Sequence, residues 1–94
     1  MSAERVAKLR QALTAGLDPV ALEIRDDSAQ HAGHAGARQG GHFSITVVSE
    51  RFAGCNRAQR HQLVYAAVSE LMRTEIHALS IQARTPQEQN SSTI

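Results

Sequence analysis

Five histidines and a single cysteine are the residues of this 94-residue chain with the most specific chemistry. His31 and His34 form an H-x-x-H pair in a glycine-rich stretch, and such a pair can bring two imidazoles to one metal ion. No CxxC or HExxH accompanies it, so the chain lacks the usual signature of a closed zinc site. His42 lies just before a run of alternating apolar residues, where an exposed or locally hydrogen-bonded role outranks ligation. His61 falls at the edge of an apolar helical stripe beside Val64 and Val68 and reads as an orienting or core-edge group. His77 differs from these, because it opens a strand whose later residues Leu79 and Ile81 are expected to be buried, and a fixed position is what a ligand needs. One rigid imidazole and one on a loop make half a coordination sphere, and another molecule would have to supply the rest.

Other chemistry is thinner. Cys55 has His61 six residues on, but no acid is placed to orient that imidazole, so a small, partly buried thiol before a helix is the preferred reading over a nucleophile. Its place near a helix start would favour the thiolate and with it redox sensitivity. Residues 31–73 carry five basic and two acidic side chains, and Arg51, Arg57 and Arg60 gather at the start of a predicted helix. That makes a candidate anion or nucleic-acid surface, weighed evenly against a solvated, locally paired face. Gly33–Gly36 reads GxxG, the backbone clamp of KH modules, but it falls between two strands and is treated as accidental. No Walker loop, dinucleotide fingerprint or pair of catalytic carboxylates is present, so the expectation is a non-enzyme.

The elements that must position these groups follow from periodicity. Val6, Leu9, Leu13 and Leu17 form one helical stripe, expected to end at Gly16 and Asp18-Pro19. Val20, Leu22 and Ile24 alternate as a strand, residues 26–41 form a long loop, and Phe43, Ile45 and Val47 mark a second strand. Asn56 with Gln59 makes a capping box for a helix that places Leu63, Val64, Ala67, Val68 and Leu71 inward. Ile76–Ala83 returns to alternation, with His77 expected on the face of Leu79, Ile81 and Ala83. Thr85-Pro86-Gln87-Glu88 caps a short last helix. The order predicts an α+β fold: an antiparallel pair, then a crossover to a parallel third strand, with the helices on one side of a three-stranded mixed sheet.

Composition sets the outer limits. A chain of this length is expected to form one domain, here residues 1–86, with 87–94 as a helix end and polar tail. One cysteine rules out an internal disulfide, and no apolar run or leader-like start is present, so a reducing, cytoplasmic setting without a membrane is expected. A net charge of +1 and 3% aromatic residues argue against a generic polyanion binder that stacks bases.

Taken together, these residues resemble the BolA family. The matching pieces are Arg25-Asp26-Asp27-Ser28 with HAGHAG (His31 to Gly36), HFSITVVS (His42 to Ser49), RFAG (Arg51 to Gly54), RHQLVYAAVSEL (Arg60 to Leu71) and IHALSIQARTP (Ile76 to Pro86). The resemblance implies an αββαβ(α) fold of the class II KH-like type. It also implies a partner, a monothiol glutaredoxin, with which the chain would share a [2Fe–2S] cluster. By the same resemblance His77 matches the C-terminal cluster histidine and His31 the loop ligand, with His34 as a possible substitute. The glutaredoxin cysteine and a glutathione thiol would complete the sphere. The alternative the family implies is a transcriptional regulator that binds DNA through the second helix, with Arg57 and Arg60 as its contacts. Cys55 matches no ligand position.

Overall fold

The computed structural model describes residues 2–27 and 41–91. The chain runs α1 (Ser2–Leu17), β1 (Ala21–Asp26), β2 (Gly41–Val48), a 3₁₀ turn (Glu50–Phe52), α2 (Arg57–Ala67), α3 (Ser69–Thr74), β3 (Ile76–Arg84) and α4 (Pro86–Ser91). Strand order is β1-β2-β3; β1 pairs antiparallel with β2, and β2 parallel with β3, the mixed sheet predicted from the element order.

Leu9, Leu13 and Leu17 from α1 and Val64 and Val68 from the second helical segment pack with Phe43, Ile45, Val47, Phe52 and Ile76 into one core. Phe43, Ile45 and Val47 share their face with Leu79, Ile81 and Ala83, their register partners, and with Leu22 and Ile24 across β1. The opposite face carries Glu23, Arg25, Ser44, Thr46, Ser80 and Gln82, which line a polar hollow of about 720 Å³ together with Arg57. The sheet is therefore covered on one side and open on the other.

Local chemistry accounts for most boundaries. Asn56 Oδ1 accepts from the Gln59 amide at 2.8 Å while Gln59 Oε1 accepts from the Asn56 amide at 2.9 Å, the predicted capping box. Thr85 and Glu88 repeat it at α4, at 3.2 and 2.9 Å. Ser49, fully buried, donates to the Leu17 carbonyl at 2.6 Å and accepts from the Arg51 amide at 3.1 Å, tying the end of α1 to the exit of β2.

Several expectations are corrected. Gly16 does not terminate α1; the helix runs on to Leu17, and Asp18 takes the left-handed conformation, φ 46°. Gly16 instead permits close approach, since a Cβ there would meet Ala67 Cβ at 2.8 Å. Val20 precedes β1 and is 66% exposed, although its amide still donates to the Val48 carbonyl at 2.8 Å. The second long helix breaks at Val68 (φ −113°, ψ 20°) into α2 and α3, and Leu63 faces outward, 37% exposed.

The largest correction falls on β3. Its register against β2 slips between Gly41 and His42: Gly41 is opposite Ile76, His42 is opposite Ala78, and His77 is the extra residue of a bulge. Ile76 enters the core at 5% exposure while Leu79 also faces inward, and two inward residues three apart require one residue outside the pleat. That residue is His77, which is exposed and not on the face of Leu79 and Ile81.

Candidate functional site: a histidine end and an arginine end of one strand

The predicted site residues separate along β3. At its start His77 projects from the bulge, and the ring of His42, half-buried on the neighbouring central strand, lies 5.0 Å from it, centroid to centroid, tilted by 46°. The parallel register brings this pair together, although 34 intervening residues separate them in sequence. The chain leaves β1 at Asp27, whose amide donates to the His42 carbonyl at 2.7 Å, and re-enters at Gly41, whose amide donates to the Glu75 carbonyl at 3.0 Å. Both ends of the connection that carries His31 and His34 are thus fastened at this edge; those two residues lie outside the described residues.

The corner behind the histidines is braced electrostatically. Glu75 receives Lys8 Nζ at 3.2 Å and Arg5 Nε at 3.4 Å from α1. These contacts, that of Lys8 first, hold its carboxyl below the ordinary carboxylate range. On the open face Asp27 takes Arg25 Nε at 2.7 Å and the Ser44 hydroxyl at 2.5 Å.

About 20 Å along the strand, at 3.3 Å per residue, is the second cluster. Cys55, Arg57, Arg60, His61, Arg84 and Glu88 line a hollow of about 490 Å³ between α2, α4 and the end of β3. Arg60 is the organising group. Its Nη1 and Nη2 form a fork on the Glu88 carboxylate at 2.7 and 3.0 Å, Nη1 also reaches the Ala83 carbonyl at 3.1 Å, and Nε the Cys55 carbonyl at 2.9 Å. With only 15% of the side chain exposed, this guanidinium joins α2, β3 and α4. Glu88, held chiefly by Arg60 and then by the Thr85 amide, has its pKa lowered to about 2.

The arginine pair expected as a polyanion surface therefore divides. Arg60 is engaged internally because the Glu88 that neutralises it lies 28 positions away, out of reach of local charge reading. Arg57 is exposed and borders both hollows. Cys55 directs its thiol to the Arg51 carbonyl at 3.8 Å, and His61 is half-buried on the wall of the same hollow, the core-edge position expected of it.

What the histidine end can do follows from its donors. Imidazole suits iron, zinc, copper and nickel, and the pair is open to solvent through His77. Cys55 is at the far end of the sheet, so the chain's sole thiol lies away from this edge. Among the described residues no three potential ligands converge. By itself an exposed imidazole at this edge could supply part of a metal centre and no more. The paired ring of His42 is what the sequence reading missed, and only the parallel register could have revealed it.

Comparison with known proteins agrees with the architecture. A family model described as BolA-like protein matches residues 13–88. The chain is 44% identical to the chloroplastic BOLA1 protein of Arabidopsis thaliana over 91 residues, 93% of this chain and 57% of that protein. It is 35% identical to the DNA-binding transcriptional regulator BolA of Escherichia coli strain K12, covering 86% of this chain and 75% of that one. The solved structure of BolA1 from Arabidopsis thaliana superposes with a TM-score of 0.77 at 44% identity, covering 87% and 92% of the two chains. The chain spans under three fifths of the plant protein's length, and one relative is named chloroplastic while another is bacterial, so compartment varies among them. No described helix is long and apolar enough to cross a membrane. With its fold and its sequence both in agreement with those relatives, the chain belongs to the BolA-like family.

Proposed function

We propose that this protein is a non-enzymatic adaptor that shares a [2Fe–2S] cluster with a monothiol glutaredoxin. In this reading residues 1–86 act as one unit. His77 is one ligand and a histidine of the 28–40 connection, His31 first and His34 as its substitute, is the other. The glutaredoxin cysteine and glutathione provide the thiolates this edge of the sheet lacks. The observation that carries the reading is the bulge at His77, which turns an otherwise inward position out to solvent where both ends of the histidine-bearing connection are fastened. Histidine in place of thiolate on one iron raises the cluster potential, so the shared cluster would differ from one held by thiolates alone.

The test mixes this chain with a monothiol glutaredoxin, iron, sulfide and glutathione. The expected outcome is a visible absorption and circular-dichroism spectrum distinct from that of the glutaredoxin alone. An unchanged spectrum and cluster lifetime with His77→Ala would remove the ligand assignment.

A second reading, DNA binding through α2, draws on the name of the Escherichia coli relative and on the exposure of Arg57. With Arg60 joined to Glu88, Arg57 is the member of the pair positioned for a phosphate. Affinity for duplex DNA that falls steeply with salt supports it, and salt-insensitive or undetectable binding removes it.

A further inference from the structure

Between its two polar ends β3 is an edge strand whose outer main-chain groups are unused. The Ser49 amide donates to the Arg84 carbonyl at 2.9 Å, and with the parallel register this turns the even-numbered residues of β3 toward β2. Leu79, Ile81 and Ala83 therefore point their amides and carbonyls to the free edge. Arg60 takes the Ala83 carbonyl, whereas the main chain of Leu79 and Ile81 meets no partner on that side among the described residues. We propose that this edge receives an extended acidic segment of a partner protein, which pairs with Leu79 and Ile81 as a fourth strand and sets a carboxylate beside Arg57 and Arg84. The inference goes beyond the adaptor reading and rests on neither His77 nor a cluster.

The edge is open to pairing. Between the bulge at His77 and the guanidinium on Ala83, the stretch ALSIQ carries no proline, lysine or inward-facing charge, the devices that usually blunt such an edge. Ile81, half-buried, borders both the polar hollow of the open face and the smaller hollow beside α2, so a strand added here has a surface to meet on either side. The charge beside it is unbalanced. Arg57 is exposed and makes no ion pair among the described residues, and Arg84 meets only the neutral side chains of Gln89 and Gln82, at 3.1 and 3.3 Å. Glu88, the carboxylate lining the hollow that both arginines border, is held by Arg60. Glu23, which borders the polar hollow with Arg57, is on β1, two strands away. Two guanidiniums without a carboxylate, next to a row of unpaired amides and carbonyls, match an acidic polypeptide: its main chain answers the row and its side chain the charge. Nucleic acid would meet the guanidiniums through its phosphates but carries no repeating main-chain donor and acceptor to match the strand.

The test uses the full chain and a short peptide of alternating valine and threonine with two aspartates at one end, blocked at both termini. Backbone amide resonances are followed as the peptide is added to millimolar concentration, and hydrogen exchange is read at the end point. The expected result is that the Leu79 and Ile81 amides shift at a common midpoint and exchange more slowly, while the amides of β1, the opposite edge, do not move. The same peptide with asparagine in place of aspartate should bind about fivefold more weakly, as should the acidic peptide to Arg57→Gln. Methylating alternate peptide amides should abolish binding in one of the two registers. Leu79 and Ile81 amides that do not respond, equal affinity for the aspartate and asparagine peptides, or full binding by both methylated peptides would each overturn the proposal. Shifts at Leu79 and Ile81 produced by duplex DNA and not by the peptide would assign the edge to nucleic acid and overturn it too. The peptide comparisons use the unaltered chain, so the result does not depend on how Arg57→Gln folds. The adaptor reading fails separately, in the glutaredoxin mixture, where His77→Ala would leave the cluster spectrum unchanged.

Discussion

The two ends of β3 carry similar inventories of polar groups and use them in opposite ways. At the Arg84 end nearly every strong group of Arg60 and Glu88 is satisfied by the protein itself: a fork between the two, two backbone carbonyls and a helix cap. At the His77 end the bracing is done from behind, by Glu75 with Lys8 and Arg5, while the imidazole itself projects outward from a bulge. Charge density alone would have ranked the arginine end as the functional one. The difference teaches that a cluster satisfied by its own neighbours is architecture, whereas a rigid polar side chain held exposed at a backbone irregularity is a candidate for chemistry.

That contrast can be broken in several ways. The largest expected effect is at the arginine end. Arg60→Ala removes four hydrogen bonds and leaves the Ala83 and Cys55 carbonyls without this donor, so a loss of about 2 kcal/mol in urea unfolding is expected. Its cluster-sharing spectrum should be intact; an undiminished stability would show that the arginine end is not structural. Next in size is the contact between α1 and α2 at Gly16. In Gly16→Ala the crowding of Ala67 Cβ outweighs the gain in helix propensity, for a net destabilisation of about 1 kcal/mol. A compensating Ala67→Gly in the same chain should recover part of it, and additivity of the two changes would contradict the packing account.

Acid sharpens the same comparison. The folded pKa of Glu88, about 2, lies below its unfolded value of about 4.3, so its contribution is full above that unfolded value and is lost as pH falls from about 4 toward 2. Glu75 is lowered as well and works in the same direction at the histidine end. Glu88→Gln should flatten the acid limb of the stability curve followed by circular dichroism, and an unaltered limb would place the acid sensitivity elsewhere. The smallest effect on stability is expected where the largest on function is proposed. His77→Ala, at an exposed bulge, should change the unfolding free energy by less than about 0.5 kcal/mol. A loss several times greater would make His77 a structural residue and collapse the distinction between the two ends.

Much of the fold was legible because it rests on short-range physics. Both capping boxes, the alternation of Phe43, Ile45 and Val47 and the stripe of Leu9, Leu13 and Leu17 lie within a few residues of one another and were found where expected. The break at Val68 was not legible, since the apolar stripe runs through it unbroken. Gly16 was recognised as special for the wrong reason, because a glycine needed for contact with Ala67 has the same local appearance as one that ends a helix. His77 was selected from the sequence as a positionally fixed imidazole at the start of a strand, but its direction was misassigned.

By itself, then, the sequence determined the order of the elements, the caps that bound them, the covered and open faces of the sheet, and the short set of histidines able to act as ligands. These follow from periodicity and from hydrogen bonds that close over three or four residues. The tertiary structure decided which of the polar groups remain available. Ile76 and Leu79 must both reach the core, and that requirement expels His77 through a bulge no local alternation encodes. The parallel register sets His42 beside it, and Glu88 neutralises Arg60 from 28 residues away. Each of these outcomes depends on a partner that is near in space and distant in sequence, so only the folded chain could assign it.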